Sequence, residues 1–175
     1  TGATSVSFAS VHYILEKVKD VKNKSILLFG TGKIGRNTCE NLIKHTQNDH
    51  IVLINRSEES AQKVAGKFNL VVKNIKELNQ EIAKSDIMIV ATGSDDVTVD
   101  ASIIANKKPL LVLDLSIPSN VDSQLKNLDN VTVVNLDELS QLTNAALKKR
   151  QQFIPDAKAI LNEIQAEFLQ WVAHR

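Results

Sequence analysis

Short apolar runs alternate with amphipathic stretches over most of the chain, and this alternation predicts the fold. The runs typical of strands buried on both faces are Ser25–Phe29, Ile51–Ile54, Leu70–Val72, Ile87–Ala91, Leu110–Leu113 and Val131–Val134. Apolar residues at helical spacing predict helices over Lys33–His45 and Ser57–Phe68, the second with Ser57 as its N-cap. They also predict a helical turn or two over Ile75–Ala83 and a brief helix over Asp100–Ala105. A repeated strand–helix–strand order implies parallel pairing through right-handed crossovers. The pattern therefore predicts an α/β fold of the Rossmann-like kind, a doubly wound and mostly parallel sheet.

Two flanking stretches do not follow this alternation. Residues 5–18 have a helical pattern, and we expect that helix to pack on the sheet domain from outside. Residues from 136 onward are helical in pattern, and Pro155 is expected to break this extension into two helices. We therefore divide the chain into a lead-in helix at 1–20, a nucleotide-binding domain at 21–135 and a helical extension at 136–175.

The last helix of the extension carries an apolar stripe for which no nearby strand offers a partner. Its members are Ala157, Ile160, Leu161, Ile164, Phe168 and Val172. We expect this stripe to pack onto sequence outside this chain or onto a second subunit. The chain opens without methionine and stops within a helical pattern, so we expect it to be a piece of a longer protein.

The composition argues against several classes of protein. The 175 residues are 43% apolar and 23% charged, which argues against disorder, and the net charge of +1 argues against strong nucleic-acid binding by this chain alone. No apolar stretch approaches membrane-spanning length, so we expect no membrane partner. The single cysteine, Cys39, excludes an intrachain disulfide and favours a reducing, cytoplasmic location.

Three of the six glycines lie together in Gly30-Thr31-Gly32-Lys33-Ile34-Gly35, between a predicted strand and a predicted helix. In a GxGxxG loop the first glycine permits the tight turn, the second admits a pyrophosphate, and the third lets helix and strand pack closely. The helix amino terminus supplies N–H groups and a positive dipole end for the phosphate charge. We interpret the loop as a dinucleotide site; the alternative is a purely structural turn.

The end of the second strand indicates which dinucleotide is bound. NAD-binding domains commonly place a carboxylate there, about 20 residues after the loop, to bind the ribose 2′-hydroxyl. This chain instead has Asn55-Arg56-Ser57. Arg56 can pair with a 2′-phosphate or stack on adenine, so the sequence favours NADPH over NADH, unless Arg56 is merely a solvated loop charge.

Two further segments follow later strands and can face the same crevice. Ala91-Thr92-Gly93-Ser94 comes directly after a predicted buried strand, so it either borders the cofactor's ribose or nicotinamide or is only a strand-ending turn. Asp114–Pro118 comes after the next strand, and for it we favour a structural role. Cys39 lies inside the helix after the glycine loop on its packed face, and we expect an inert thiol.

These motifs resemble the NADPH-binding domain of glutamyl-tRNA reductase. Residues 2–9 (GATSVSFA) are similar to the family's lead-in helix, and residues 30–35 (GTGKIG) are similar to its GAGEMG loop. Residues 55–57 (NRS) and 91–94 (ATGS) match its NRT/NRS and ATG/STA segments.

The later motifs are more specific than the glycine loop. Residues 114–122 (DLSIPSNVD) resemble the family's D-[IL]-[AS]-[VIL]-P-R-D-V-[DE] segment. Residues 136–139 (LDEL), with Asn144 and Arg150, resemble its VDDL…N…R entry into the long helix before the dimerisation region.

The resemblance implies the function of the longer protein. The family reduces glutamyl-tRNA to glutamate-1-semialdehyde for tetrapyrrole (porphyrin) biosynthesis, through a thioester on a cysteine of an amino-terminal domain and hydride from NADPH. That domain would precede Thr1, so we expect this chain to bind NADPH without catalysing the reaction and to meet glutamyl-tRNA only through other domains. We expect a homodimer of the full-length protein.

The sequence departs from the family pattern at several positions. Lys33 replaces the acid of GAGEMG, and Ser60 stands where a second cation usually follows NRT, with Lys63 as the candidate to compensate. Ser119 and Asn120 replace an arginine and an acid, which leaves the role of that loop open. Two alternatives remain: an NADP domain of a shikimate-dehydrogenase-like oxidoreductase, and a non-catalytic NADP(H)-sensing dimerisation module.

Overall fold

The computed structural model describes residues 2–68, 70–104, 108–142 and 165–172, with the side chains of residues 2–4 excepted. Six strands form one sheet in the order β3-β2-β1-β4-β5-β6, and every neighbouring pair is parallel. Their bounds are β1 Ile26–Phe29, β2 Ile51–Ile54, β3 Val71–Val72, β4 Ile87–Val90, β5 Leu110–Asp114 and β6 Val131–Asn135. This order, in which β1 and β4 lie side by side at the centre, is the Rossmann-like topology that the sequence predicts.

Four α-helices lie before β4 in the described chain. They are α1 Gly2–Lys17, α2 Lys33–Thr46, α3 Glu58–Phe68 and α4 Leu78–Lys84. The brief helix predicted at Asp100–Ala105 is a 3-10 turn, Ala101–Ile103, and Ala105 lies outside the described residues. Asp100 is the N-cap of this turn, since its side chain accepts the N–H of Ser102.

The core has two layers, one on each face of the sheet, because successive strand side chains point to opposite faces. Ile26 and Leu28 of β1 pack with Leu42 of α2 on one face, whereas Leu27 and Phe29 belong to the cluster on the other face. All four strand residues are at most 2% exposed. This two-sided burial explains why the strands read as continuous apolar runs rather than as alternating patterns.

Helix α1 packs against α2 on the outside of the first layer. Val6, Ala9 and Ile14 of α1 are fully buried in the same cluster as the α2 side chains. A polar contact accompanies them, since the hydroxyl of Thr38 donates to Ser7 at 3.2 Å. The predicted lead-in helix therefore packs mainly against α2, within the core layer on this face of the sheet.

The apolar stripe near the carboxy terminus packs differently from the prediction in the part that the structure describes. Residues 136–142 and 165–172 are helical, and Phe168 is 3% exposed in the same cluster as Leu136 and Leu139. Phe168 thus fills a place in this chain's own core, whereas Val172 is 46% exposed. Outside the described residues lie Asn144, Arg150, Pro155, Ala157, Ile160, Leu161 and Ile164. The division of the chain at 20/21 and 135/136 stays a prediction.

Candidate functional site

The predicted site segments come together at the carboxyl edge of the sheet. The N–H of Gly30 donates to the carbonyl of Ile54 at 2.9 Å, and the N–H of Ala91 donates to the carbonyl of Phe29 at 2.8 Å. The loops that leave β1, β2 and β4 are therefore neighbours, as parallel pairing requires. We call residues 30–35, 55–57 and 91–94 the nucleotide edge.

Gly30 and Gly35 are required by close packing between these loops. Gly30 has φ +105°, and a Cβ there would lie 2.3 Å from the carbonyl oxygen of Ala91. A Cβ on Gly35 would lie 2.3 Å from the carbonyl oxygen of Gly30. Both positions therefore exclude any side chain, which agrees with the turn and packing tasks assigned to the first and third glycines.

Gly32 differs from the other two glycines because a Cβ there would meet no atom within 4 Å. It is the N-cap of α2, which begins at Lys33, so its missing side chain leaves open space in front of free helix N–H groups. Beside it, the Thr31 hydroxyl is buried and has no hydrogen-bond partner among the described residues. This open helix end fits a diphosphate and shows no structural need for glycine.

The segment after β2 is exposed and shaped by its own side chains. Asn55 donates through Nδ2 to the carbonyl of Ser57 at 3.1 Å, and the Ser57 hydroxyl accepts the N–H of Ser60 at 3.3 Å. Ser57 is thus the N-cap of α3, as the sequence predicts. Arg56 is exposed and forms no ion pair within the described part of the chain. Its guanidinium is available to a ligand.

The loop after β4 is held by a residue that sequence analysis left without a role. Asn120 is fully buried, and its Oδ1 accepts hydrogen bonds from the Thr92 hydroxyl and from the N–H of Ser94, the latter at 2.9 Å. Its Nδ2 donates to the carbonyls of Ser94, Asp96 and Pro118, at 2.7, 3.1 and 3.2 Å. The Thr92 proton is therefore already bonded within the protein, and the Asn120 amide fixes the shape of residues 91–96.

Asp114 anchors the loop that carries Asn120. Its carboxylate is 1% exposed and accepts the backbone N–H groups of Ser116, Asn120 and Val121 at 3.1, 2.9 and 3.0 Å, together with the Ser119 hydroxyl. Four donors are enough to compensate a buried carboxylate. Asp114 thus has the structural role that the sequence favours, and it acts on the nucleotide edge only through Asn120.

A groove of about 360 Å³ runs from the glycine loop between α2 and α3. Its lining residues are Thr31, Gly32, Arg36, Glu40, Ser60, Lys63, Val64, Lys67 and Phe68. Sequence reasoning did not single out Arg36, since its position matters only once α2 and α3 are side by side.

Cys39 has the properties of a packing residue. It is fully buried, and burial, followed by the nearby Glu40 carboxylate, raises the pKa of its thiol from 9.0 to about 12. A thiol that stays protonated at neutral pH is a poor nucleophile. Across the described ranges, no cluster of three or more His, Cys, Asp or Glu side chains could hold a metal ion.

Comparison with known proteins identifies the family of this chain. The model of the family described as shikimate / quinate 5-dehydrogenase matches residues 13–142. The chain belongs to this family. Within the part that the structure describes, no helix has both the length and the apolar character needed to cross a bilayer.

Relatives in sequence are glutamyl-tRNA reductases, which confirms the resemblance stated from the motifs. The glutamyl-tRNA reductase of Christiangramia forsetii is 58% identical over all of this chain, which covers 42% of that protein. The Bacillus subtilis glutamyl-tRNA reductase is 30% identical over 98% of this chain, which covers 39% of that protein. The chain thus spans about two fifths of the length of these relatives.

Solved structures confirm the fold. Glutamyl-tRNA reductase from Methanopyrus kandleri superposes with a TM-score of 0.76 at 21% identity, covering 98% of this chain and 45% of that chain. The nucleotide binding domain of the enzyme from Thermoplasma volcanium has a TM-score of 0.61 at 19% identity, covering 83% of this chain and 96% of that one. An α/β fold of the Rossmann type is therefore established for this chain.

Proposed function

We propose that this chain is the NADPH-binding part of a glutamyl-tRNA reductase. The observation that carries the proposal is the 58% identity with such a reductase over every residue of the chain. The longer protein would reduce glutamyl-tRNA to glutamate-1-semialdehyde, the step that the sequence resemblance implies for tetrapyrrole biosynthesis. NADPH would supply the hydride for this reduction when bound.

The nucleotide edge fits such a cofactor. Gly32 leaves room for the diphosphate in front of the α2 amino terminus, and the buried Thr31 hydroxyl lies beside it with its hydrogen-bonding capacity unused among the described residues. Lys33 and Ile34 begin the helix that supplies the N–H groups, and Gly35 keeps that helix close to β1. These residues would bind and orient the diphosphate without any side chain in its way.

The other two segments would hold the two ends of the cofactor. Asn55, Arg56 and Ser57 would bind the adenosine ribose and its 2′-phosphate, because Arg56 is a cation without an ion pair among the described residues and stands where an NAD-binding domain has a carboxylate. Residues 91–94 would border the nicotinamide ribose, in the shape that Asn120 fixes. No side chain of this chain is proposed to form the thioester, since the Cys39 thiol is buried and protonated.

Titration of the 175-residue chain with NADPH and NADH by calorimetry tests the cofactor assignment. We expect NADPH to bind at least about tenfold more tightly than NADH, because one charge-assisted contact is worth roughly that factor. Binding of neither dinucleotide, or tighter binding of NADH, would refute it.

Assays of the longer protein that contains this chain separate the reductase from its two rivals. NADPH oxidation that depends on glutamyl-tRNA supports the proposal, whereas oxidation–reduction of shikimate with NADP(H) supports the dehydrogenase alternative. The isolated chain is expected to be inactive in both assays. An oligomeric state that follows NADPH occupancy would support the sensing module, while unchanged association supports a reductase part and a homodimer formed by the longer protein.

A further inference from the structure

The groove between α2 and α3 is charged unevenly along its length. At the end near the glycine loop, Arg36 lies one turn beyond Gly32, since its N–H donates to the Gly32 carbonyl at 2.8 Å, and Lys63 lies one turn beyond Ser60. At the far end, Glu40 and Lys67 lie one further turn along the two helices. The near end therefore carries two cations, and the far end carries one cation and one carboxylate.

The cations at the near end are not occupied by strong partners. Arg36 forms no ion pair among the described residues. Lys63 pairs with Glu59 at 3.7 Å, but the two side chains are 78% and 83% exposed. Exposed pairs at this spacing contribute little, so the lysine can exchange its partner for a stronger anion. The near end of the groove is thus an open, positively charged site between α2 and α3.

The near end of the groove lies where the 2′-phosphate, the group that distinguishes NADPH from NADH, would be bound. The groove begins at Thr31 and Gly32, where the diphosphate would lie, and reaches Ser60 in the first turn of α3, next to the segment 55–57. A nucleotide that extends from the glycine loop to the end of β2 would pass the near end of the groove. Glu58, the first residue of α3, is directed elsewhere, since its carboxylate accepts a weak hydrogen bond from Asn74 at 3.4 Å.

We infer that Arg36 and Lys63, which line one groove between α2 and α3, form a second clamp for the 2′-phosphate of NADPH. This inference rests on the proposed function and adds two residues that determine cofactor specificity. Arg36 offers a planar guanidinium from α2, Lys63 offers an ammonium from α3, and Ser60 leaves the space between them open.

The test measures dissociation constants of NADPH, NADH and adenosine 2′,5′-bisphosphate for the chain and four variants. We expect Arg36→Ala and Lys63→Ala each to weaken NADPH and the bisphosphate by roughly five- to twentyfold, since each removes one charge-assisted contact. NADH should change less than about twofold, because it has no 2′-phosphate. Ser60→Arg should restore tight NADPH binding in the Arg36→Ala background.

The fourth variant, Lys44→Ala, is the matched control. Lys44 is an exposed cation in the last turn of α2, outside the groove, so its loss changes net charge equally but should leave all three constants unchanged. Equal losses for NADPH and NADH, or losses as large in Lys44→Ala, would overturn the inference while leaving the proposed function in place. A parent chain that binds neither dinucleotide would instead overturn both, and circular dichroism of each variant checks that folding is intact.

Discussion

Asn120 and Ser94 exchange two hydrogen bonds across 26 residues of sequence. The Asn120 Oδ1 accepts the Ser94 N–H at 2.9 Å, and the Asn120 Nδ2 donates to the Ser94 carbonyl at 2.7 Å. A buried side-chain amide thus satisfies the hydrogen-bonding capacity of both the N–H and the carbonyl of Ser94, in the loop after β4. In a sheet, a neighbouring strand would provide these two hydrogen bonds. This pair fixes the nicotinamide side of the proposed site.

Asn120→Asp removes the donor side of this amide. Three carbonyls lose their hydrogen-bond donor, and a second carboxylate enters beside Asp114, so we expect a loss of about 2–4 kcal/mol in the free energy of unfolding. Urea denaturation measures the loss. Asn79→Asp makes the same amide-to-carboxylate change at an exposed position of α4 and should alter stability by less than about 0.5 kcal/mol. Equal effects of the two substitutions would contradict the role of Asn120.

Gly32→Ala and Gly35→Ala separate cofactor binding from stability. A Cβ at Gly35 lies 2.3 Å from a backbone oxygen, so Gly35→Ala should destabilise the fold by about 1–3 kcal/mol. A Cβ at Gly32 meets nothing within 4 Å, so Gly32→Ala should keep stability within about 0.5 kcal/mol and weaken NADPH by about tenfold or more. Thermal melts and calorimetry give the two quantities. Unchanged NADPH affinity in Gly32→Ala would argue against a diphosphate at this helix end.

Arg56→Ala tests the first contact proposed for the 2′-phosphate. Arg56 is exposed at the end of β2 with no ion pair among the described residues, so the substitution should leave folding intact. We expect NADPH to weaken by about tenfold and NADH by much less, because only NADPH offers a phosphate to the guanidinium. Calorimetric titration provides the comparison. If both cofactors lose affinity equally, Arg56 stacks on adenine or shapes the loop instead of selecting the phosphate.

Burial of Cys39 should make stability depend on pH in the alkaline range. The unfolded thiol titrates near 9.0, whereas burial raises the pKa of the folded thiol to about 12. Between these pKa values the unfolded chain has lost a proton that the folded chain keeps. The contribution of Cys39 to the free energy of unfolding is therefore complete below pH 9.0 and is lost as pH rises towards 12.

The slope of that loss is at most about 1.4 kcal/mol per pH unit. Urea denaturation of the parent chain and of Cys39→Ala between about pH 8 and about 10.5, a range that spans the pKa of the unfolded thiol, measures the difference in slope. Burial, with the Glu138 carboxylate second, also raises the pKa of Tyr13, which is present in both proteins and cancels. Parallel curves for the two proteins would show that Cys39 is accessible to solvent in the folded chain.

The order of the elements, and the bounds of most strands to within a residue, could be predicted from the sequence because the signals for them are local. Each buried strand reads as an uninterrupted apolar run, and β2 spans Ile51–Ile54 as predicted. The Ser57 cap and the Gly30–Gly35 loop were found for the same reason, since cap and turn chemistry depend on a few adjacent residues. The 3-10 form of the turn at Ala101–Ile103 could not be predicted, because apolar spacing does not distinguish a three-residue turn from a short α-helix.

The sequence by itself determined the strand–helix alternation, the glycine loop and the presence of an arginine at the end of β2. Only the tertiary structure decided that Asn120 joins two loops, that Arg36 and Lys63 face one groove, and that Phe168 returns to this chain's core. The physical reason is distance along the chain. Local hydrogen bonding and side-chain periodicity act over a few residues and leave a pattern, whereas contacts between remote residues exist only once the sheet has brought them together.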